Sequence, residues 1–340
     1  MKSALVFAAA MSAAGAFAGV GDAEVMQWAD GAKGAFMLMF DDGWPSAFQA
    51  AMPALEERNL PGDFYIIPSK GEFKVFEKKW LEIFKTKPLF HIGNHTWSHN
   101  GFNDYDGAVQ EFRKCTDYIL ANVPGRKPRL ISYAQPGVKA GRWNINGEQE
   151  KQICREQNLI PRPDFRGRGA TYHLKNKDDM LSLAKKAVRE GIAECVIFHG
   201  VEVNDPKRGY QDFWAVPVKE YIPFFDEVAA MRDAGDLWVA DHIAVHSYET
   251  ERKTAKVKTL KAGPGGILLE LTCDADPALY VQPLTLKVAV PKSWKAASFR
   301  QGKNGETATV PVKDGFALVK GVPGAGPIGV KASSAVAAKK

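Results

Sequence analysis

Two adjacent aspartates, Asp41 and Asp42, follow the unbroken apolar run Phe36-Met37-Leu38-Met39-Phe40 and precede Gly43. Neighbouring carboxylates repel, so the pair is costly unless a cation lies beside it. His95 and His99 stand at i, i+4 spacing in His95-Thr96-Trp97-Ser98-His99. On a helical turn that spacing puts both imidazoles on one face. Two imidazoles and one carboxylate form a ligand set for a borderline divalent cation, with positions left open for water. Position 96 is Thr, so a general base must come from elsewhere, and a second aspartate is at hand. His199 closes another apolar run, Val196-Ile197-Phe198, and brings one more polar side chain to a strand end. His91 reads as packed inside its own strand, and His173, His242 and His246 receive no role.

The elements that must position these residues alternate. Short apolar runs at Phe36–Phe40, Phe64–Ile67, Leu89–Ile92, Leu130–Tyr133, Val196–Phe198 and Leu237–Ala240 are separated by amphipathic stretches. Helices are predicted near residues 46–58, 75–85, 106–121, 147–157, 178–190, 219–233 and 246–253. Six or seven such repeats predict an α/β fold on a parallel sheet, open or closed into a barrel. Reactive groups belong at the C-terminal edge of such a sheet, where the Asp pair and the histidines fall. Beyond Lys253 the texture changes. Gly263-Pro264-Gly265-Gly266 is a turn cluster, and Leu284–Val290 alternates with period two, so residues 255–330 read as a small all-β sandwich-like domain. That domain supplies no candidate ligand, and a chain ending near Lys258 is expected to fold and keep its chemistry. Residues 331–340 read as a flexible tail.

The 340 residues are 45% hydrophobic, 25% charged and 11% aromatic, which excludes wholesale disorder, collagen-like repeats and a polytopic membrane protein. The net charge of +6 is spread along the chain, so no nucleic-acid partner is expected. Residues 1–18 have the form of a signal peptide: Lys2, a small and apolar stretch from Ala4, and the A-x-A site Ala16-Phe17-Ala18. The run is too short to span a membrane, so export without stable membrane insertion is expected, to the periplasm or the exterior. Cys115, Cys154, Cys195 and Cys273 show no C-x-x-C spacing. Cys195 reads as a buried free thiol, and a Cys115–Cys154 bridge is left open.

Met39-Phe40-Asp41-Asp42-Gly43, His95-Thr96-Trp97-Ser98-His99 and Phe198-His199-Gly200 together resemble the first, second and fifth motifs of the polysaccharide deacetylases, carbohydrate esterase family four with its NodB homology domain. The resemblance runs from about Gly34 to Arg252, within a catalytic domain placed at residues 19–254. It implies a distorted (β/α) barrel and metal-dependent removal of acetyl groups from a glycan. It also implies Asp41 as base, Asp42, His95 and His99 on the metal, and His199 as acid. Zinc is the expected ion, with Co2+, Ni2+, Mn2+ or Fe2+ as alternatives.

The third motif departs from the family, because Tyr133-Ala134-Gln135-Pro136-Gly137 has neither its arginine nor its Pro-Tyr. The Gly137 N–H, after Pro136, remains available as an oxyanion donor. Arg166 or Arg168 is expected to replace the missing arginine. Trp44 and Trp97 flank the motifs and either stack on sugar rings or pack. The expected reaction is N-deacetylation of amino sugars in a poly- or oligosaccharide. An O-acetyl esterase of the xylan type and an inactive sugar-binding relative are the alternatives, and oligomeric state is not legible.

Overall fold

The computed structural model describes residues 19–163, 174–203 and 212–334. Its strands begin with β1 (Ala23–Val25), β2 (Gly34–Phe40), β3 (Gly62–Ile66) and β4 (Phe90–Asn94). They continue with β5 (Ile131–Tyr133), β6 (Leu159–Pro161), β7 (Ala193–Phe198) and β8 (Leu237–Val239). A parallel sheet runs β6-β5-β4-β3-β2-β7, with β8 also on β2. One edge of β2 is shared: β8 pairs with Gly34–Phe36 and β3 with Met39 and Phe40. No pairing joins β6 to β7 among the described residues, so the barrel is distorted and open there.

The helices are α1 (Met52–Glu57), α2 (Gly71–Val75), α3 (Glu77–Thr86), α4 (Tyr105–Asn122), α5 (Gly147–Glu156), α6 (Lys177–Glu190), α7 (Val218–Asp233) and α8 (His242–Thr254). The continuous apolar run of β2 has the expected cause, since both faces are covered. Phe36, Leu38 and Phe40 enter the core beneath the helices. Ala35, Met37 and Met39 enter a second core inside the barrel. At the top of the sheet Phe40 stacks between Phe64 and Phe198, with ring centroids 4.7 and 4.9 Å apart. Those contacts fix the strand ends that carry Asp41 and His199.

The remaining strands are β9 (Lys256–Gly263), β10 (Gly266–Thr272), β11 (Leu284–Ala289), β12 (Ala296–Gln301), β13 (Ala308–Lys313), β14 (Phe316–Gly321) and β15 (Ile328–Ser333). They form an antiparallel sheet in the order β1-β11-β14-β13-β12-β15-β10-β9. β13 pairs with β12 through its first residues and with β14 through its last, so one strand joins both layers. The two ends of the sheet approach each other, where Thr259 Oγ1 donates to Gly21 O at 2.6 Å, giving a nearly barrel-shaped unit.

Three details differ from the sequence reading. β1, close to the N-terminus, pairs with β11 and belongs to the C-terminal sheet. Residues 331–333, read as flexible tail, complete β15 against β12. Finally, the interior core of the barrel continues into the β-rich unit, uniting Met37, Met39 and Cys195 with Leu269, Leu286 and Val288. Cys195 is a buried free thiol, and Cys115 and Cys154 are buried and unbridged. Residues 1–18, read from the sequence as a leader, and Arg166, Arg168 and His173 lie outside the described residues. No helix among the described residues is long and apolar enough to cross a membrane.

Candidate metal centre and active site

Side chains alternate along a strand, so Asp41 continues the face of Met37 and Met39 and turns into the barrel mouth. Asp41 N donates to Phe198 O at 2.8 Å, which prolongs the β2–β7 ladder by one residue. The chain then bends sharply, with Asp42 at φ +69 and Gly43 at φ +68. Asp tolerates the left-handed region better than most residues. Glycine at 43 has a second reason, since a Cβ there would lie 2.9 Å from Phe73 Cβ.

His95 and His99 do not lie on a helix. The segment after β4 is a loop, and left-handed Thr96 (φ +63) and His99 (φ +55) bring the imidazoles together with centroids 5.0 Å apart. Hydrogen bonds hold that loop. Asn94 Oδ1 accepts from Thr96 N at 2.8 Å, and Asn94 Nδ2 donates to Phe112 O and Thr116 Oγ1 of α4. The Glu111 carboxylate, also on α4, accepts from Ser98 N and Ser98 Oγ at 2.8–3.0 Å.

Asp42 Oδ1 lies 3.3 Å from His95 Nε2 and 3.5 Å from His99 Nε2. His95 Nδ1 sits 2.9 Å from Ala134 O, so the proton belongs on Nδ1 and the Nε2 lone pair faces Asp42. Asp42 Oδ1 is buried with no hydrogen-bond partner among the described residues, which is the expected state of an oxygen meant for a cation. One ligand atom from each of Asp42, His95 and His99 falls within 4.8 Å of the others. This donor set fits a divalent ion of the zinc kind. Burial acts to raise the Asp42 carboxyl, but the imidazoles of His95, His199 and His99 hold it well below the carboxylate range. Burial acts to lower His95, and the charges of Asp41 and Asp42 raise it instead.

Asp41 has a different partner. Arg162 forks onto it, Nη1 to Oδ1 at 2.7 Å and Nη2 to Oδ2 at 2.9 Å. Burial would raise this carboxyl, and Arg162, with His95 and His199 beyond it, lowers it below its ordinary value. Arg162 Cζ lies 5.1 Å from the Tyr65 ring centroid. Beneath, Tyr65 Oη, Ser132 Oγ and His242 Nδ1 form a buried hydrogen-bonded column with 2.7 Å steps.

Sequence reasoning missed Arg162. It follows β6, a three-residue strand that the sequence reading left out, between Pro161 and Pro163. The usable signal was the apolar pair Leu159-Ile160 leading into an arginine between two prolines, a short edge strand rather than a loop.

The cavity over these groups has a volume of about 940 Å³ and is lined by Asp41, Asp42, His95, His99, His199 and Arg162. Pro136, Gly137, Gln135, Glu150 and Lys151 line it as well, with Phe213 and Trp214. His199 Nε2 stands 3.9 Å from Asp42 Oδ2. Burial lowers its pKa, against the pull of Asp41 and Asp42. The two tryptophans singled out in the sequence are not among the residues that line the cavity. Trp44 Nε1 donates to Asp42 Oδ2 at 3.2 Å, and Trp97 packs on Tyr118. His91 is not a core residue. Its side chain is 41% exposed, with Nε2 3.8 Å from Asp241 Oδ2.

The chain is similar to several known proteins. A gellan lyase from a Bacillus species is 23% identical over 338 residues, covering 91% of this chain and only 13% of that much longer protein. Among solved structures, a peptidoglycan deacetylase from Bacillus subtilis is 15% identical, covering 63% of this chain and 90% of its own, with a TM-score of 0.39. A family 4 carbohydrate esterase from Streptomyces lividans is 13% identical over 60% of this chain and 91% of its own, with a TM-score of 0.39. A pseudoenzyme of the same family from Bacillus anthracis is 14% identical over 60% and 63%, with a TM-score of 0.36. The sequence model described as polysaccharide deacetylase matches residues 29–151, the segment that holds Asp41, Asp42, His95 and His99.

Proposed function

We propose that this protein is a metal-dependent hydrolase that removes acetyl groups from an exported or cell-surface glycan, with N-acetyl groups of amino sugars as the principal target. The observation that carries this reading is the convergence of Asp42, His95 and His99 beside an aspartate oriented by arginine, all in one cavity. Asp42, His95 and His99 would hold the ion. When bound, a zinc-like cation polarises an acetyl carbonyl and acidifies a water at its open position.

The chain's own residues do the rest. Arg162 keeps Asp41 ionised and aims its carboxylate, so the proton of the attacking water passes to Asp41. The Gly137 N–H, at the cavity wall, donates to the developing oxyanion, which requires a main-chain group and no particular side chain. His199 gives a proton to the leaving nitrogen, which an amide needs because an amine anion departs far less readily than an alkoxide. Export rests on the leader-like stretch ending at Ala16-Phe17-Ala18.

The test is metal analysis of the purified protein, combined with acetate release from a panel of N- and O-acetylated glycans. Bound divalent metal and acetate release suppressed by chelation are expected. A protein that takes up no metal and releases no acetate from any member refutes the reading.

A further inference from the structure

Phe213 and Trp214 lie stacked, with ring centroids 4.3 Å apart and planes 24° from parallel, and both line the cavity. Phe213 is 47% exposed and so offers an open aromatic face beside a polar site. The Trp44 ring, 6.3 Å away, extends the aromatic surface toward Asp42. Trp214 takes φ +50, a strained conformation for a bulky residue, and the surroundings hold it there. Gly200 N donates to Phe213 O, Val216 N to Gly200 O and Glu202 N to Val216 O, at 2.8–3.1 Å. The buried Asp212 accepts from Ser46 N at 2.6 Å, and Ser46 Oγ accepts from Val201 N at 3.0 Å. The aromatic pair is therefore tied both to the segment after His199 and to the helical turn after Asp41-Asp42. A Cβ at Gly200 would meet Asp212 Cβ at 2.6 Å, so the close approach depends on that glycine.

We propose that Phe213 and Trp214 are a stacking platform for a pyranose ring next to the acetylated sugar, and that they set a preference for oligomers over monomers. The proposal rests on the deacetylase reading and names a specificity determinant within that site. The axial C–H groups of a pyranose give it an apolar face, which an exposed aromatic ring covers while the hydroxyl edges stay wet. A platform fixed to both catalytic strand ends holds the neighbouring ring at a set distance from the reacting acetyl group.

The test compares wild type with Phe213→Ala, Phe213→Leu and Phe213→Tyr on an N-acetylglucosamine tetramer and on the monomer, with metal content measured in each. The tetramer-to-monomer ratio of kcat/KM should fall roughly 10-fold in the Ala and Leu variants, through KM, and recover in Tyr. An unchanged ratio in Ala and Leu, or a Tyr variant as poor as Leu, overturns the platform. In parallel, the tetramer should perturb tryptophan fluorescence of the metal-free protein, with that signal lost in Trp214→Phe. No signal in wild type, or the same signal in Trp214→Phe, also overturns it. Wild type that shows the Trp214 signal but takes up no metal and releases no acetate from any member of the N- and O-acetylated panel refutes the deacetylase reading and leaves the platform standing.

Discussion

Asp41 and Asp42 are neighbours in sequence with opposite surroundings, and substitution should separate them. Asp42 faces two imidazole nitrogens, so Asp42→Asn should lose metal and activity together. Asp41 faces Arg162, so Asp41→Asn should keep its metal while acetate release falls by roughly 10² to 10⁴. Equal metal loss in the two variants would refute this division of roles. Arg162→Ala leaves a buried carboxylate without its cation, which should cost about 3–5 kcal/mol of stability in urea unfolding. The double variant Arg162→Ala with Asp41→Asn should recover much of that loss. If it does not, Arg162 stabilises by packing over Tyr65 rather than by neutralising Asp41.

At the scale of elements, the candidate metal centre depends on α4 although α4 supplies none of its three residues. Its Glu111 fixes the loop from Trp97 to His99 through Ser98. Glu111→Ala should therefore weaken metal affinity by roughly 10- to 100-fold, with little change in the helical content seen by circular dichroism. An unchanged metal Kd would mean that Asn94 alone holds the loop. The i, i+4 spacing of His95 and His99 pointed to a pair that does converge, for a helical reason that does not apply, because a loop with left-handed residues brings the two imidazoles together. β6 carries no periodic signal, for a related reason. Three residues give no period to read, and only pairing with β5 makes them a strand.

At the scale of the molecule, the β-rich unit is not an appendage. Leu269, Leu286 and Val288 share a buried core with Met37 and Met39, and Tyr248 Oη donates to Met26 O while accepting from Thr285 N. Truncation after Lys258 would expose that core, so we expect an aggregating or unfolded product, contrary to the separable domain read from the sequence. A soluble, active truncation would refute the coupling. Acid should also weaken the fold through His242. Burial pushes its pKa down to about 3, from 6.5 in the open chain. The folded state thus binds fewer protons between those values, and stability falls as pH drops from about 6.5, by up to roughly 1.4 kcal/mol per pH unit. Glu251, raised by burial to about 7 from 4.5, opposes this slope above about pH 4.5. The measurement that isolates His242 is the difference in unfolding free energy between wild type and His242→Gln, which should narrow as pH falls from 6.5 to 4.

The sequence by itself determined the alternating α/β order, the apolar run buried on both faces, the change to β texture after Lys253, and the three motifs that end at Asp41-Asp42, His99 and His199. Each is local: a period of two or 3.6, a turn residue, or a short spacing that neighbours along the chain are enough to specify. Tertiary structure alone decided that Arg162, 121 residues from Asp41 along the chain, is the guanidinium that meets it. It also placed Phe213 and Trp214 beside His199, and drew β1 into the C-terminal sheet. These are contacts between distant segments. A charge, an aromatic ring or a short strand has the same local signature whether it meets such a partner or only water, and the pairing is settled when the two cores close around it.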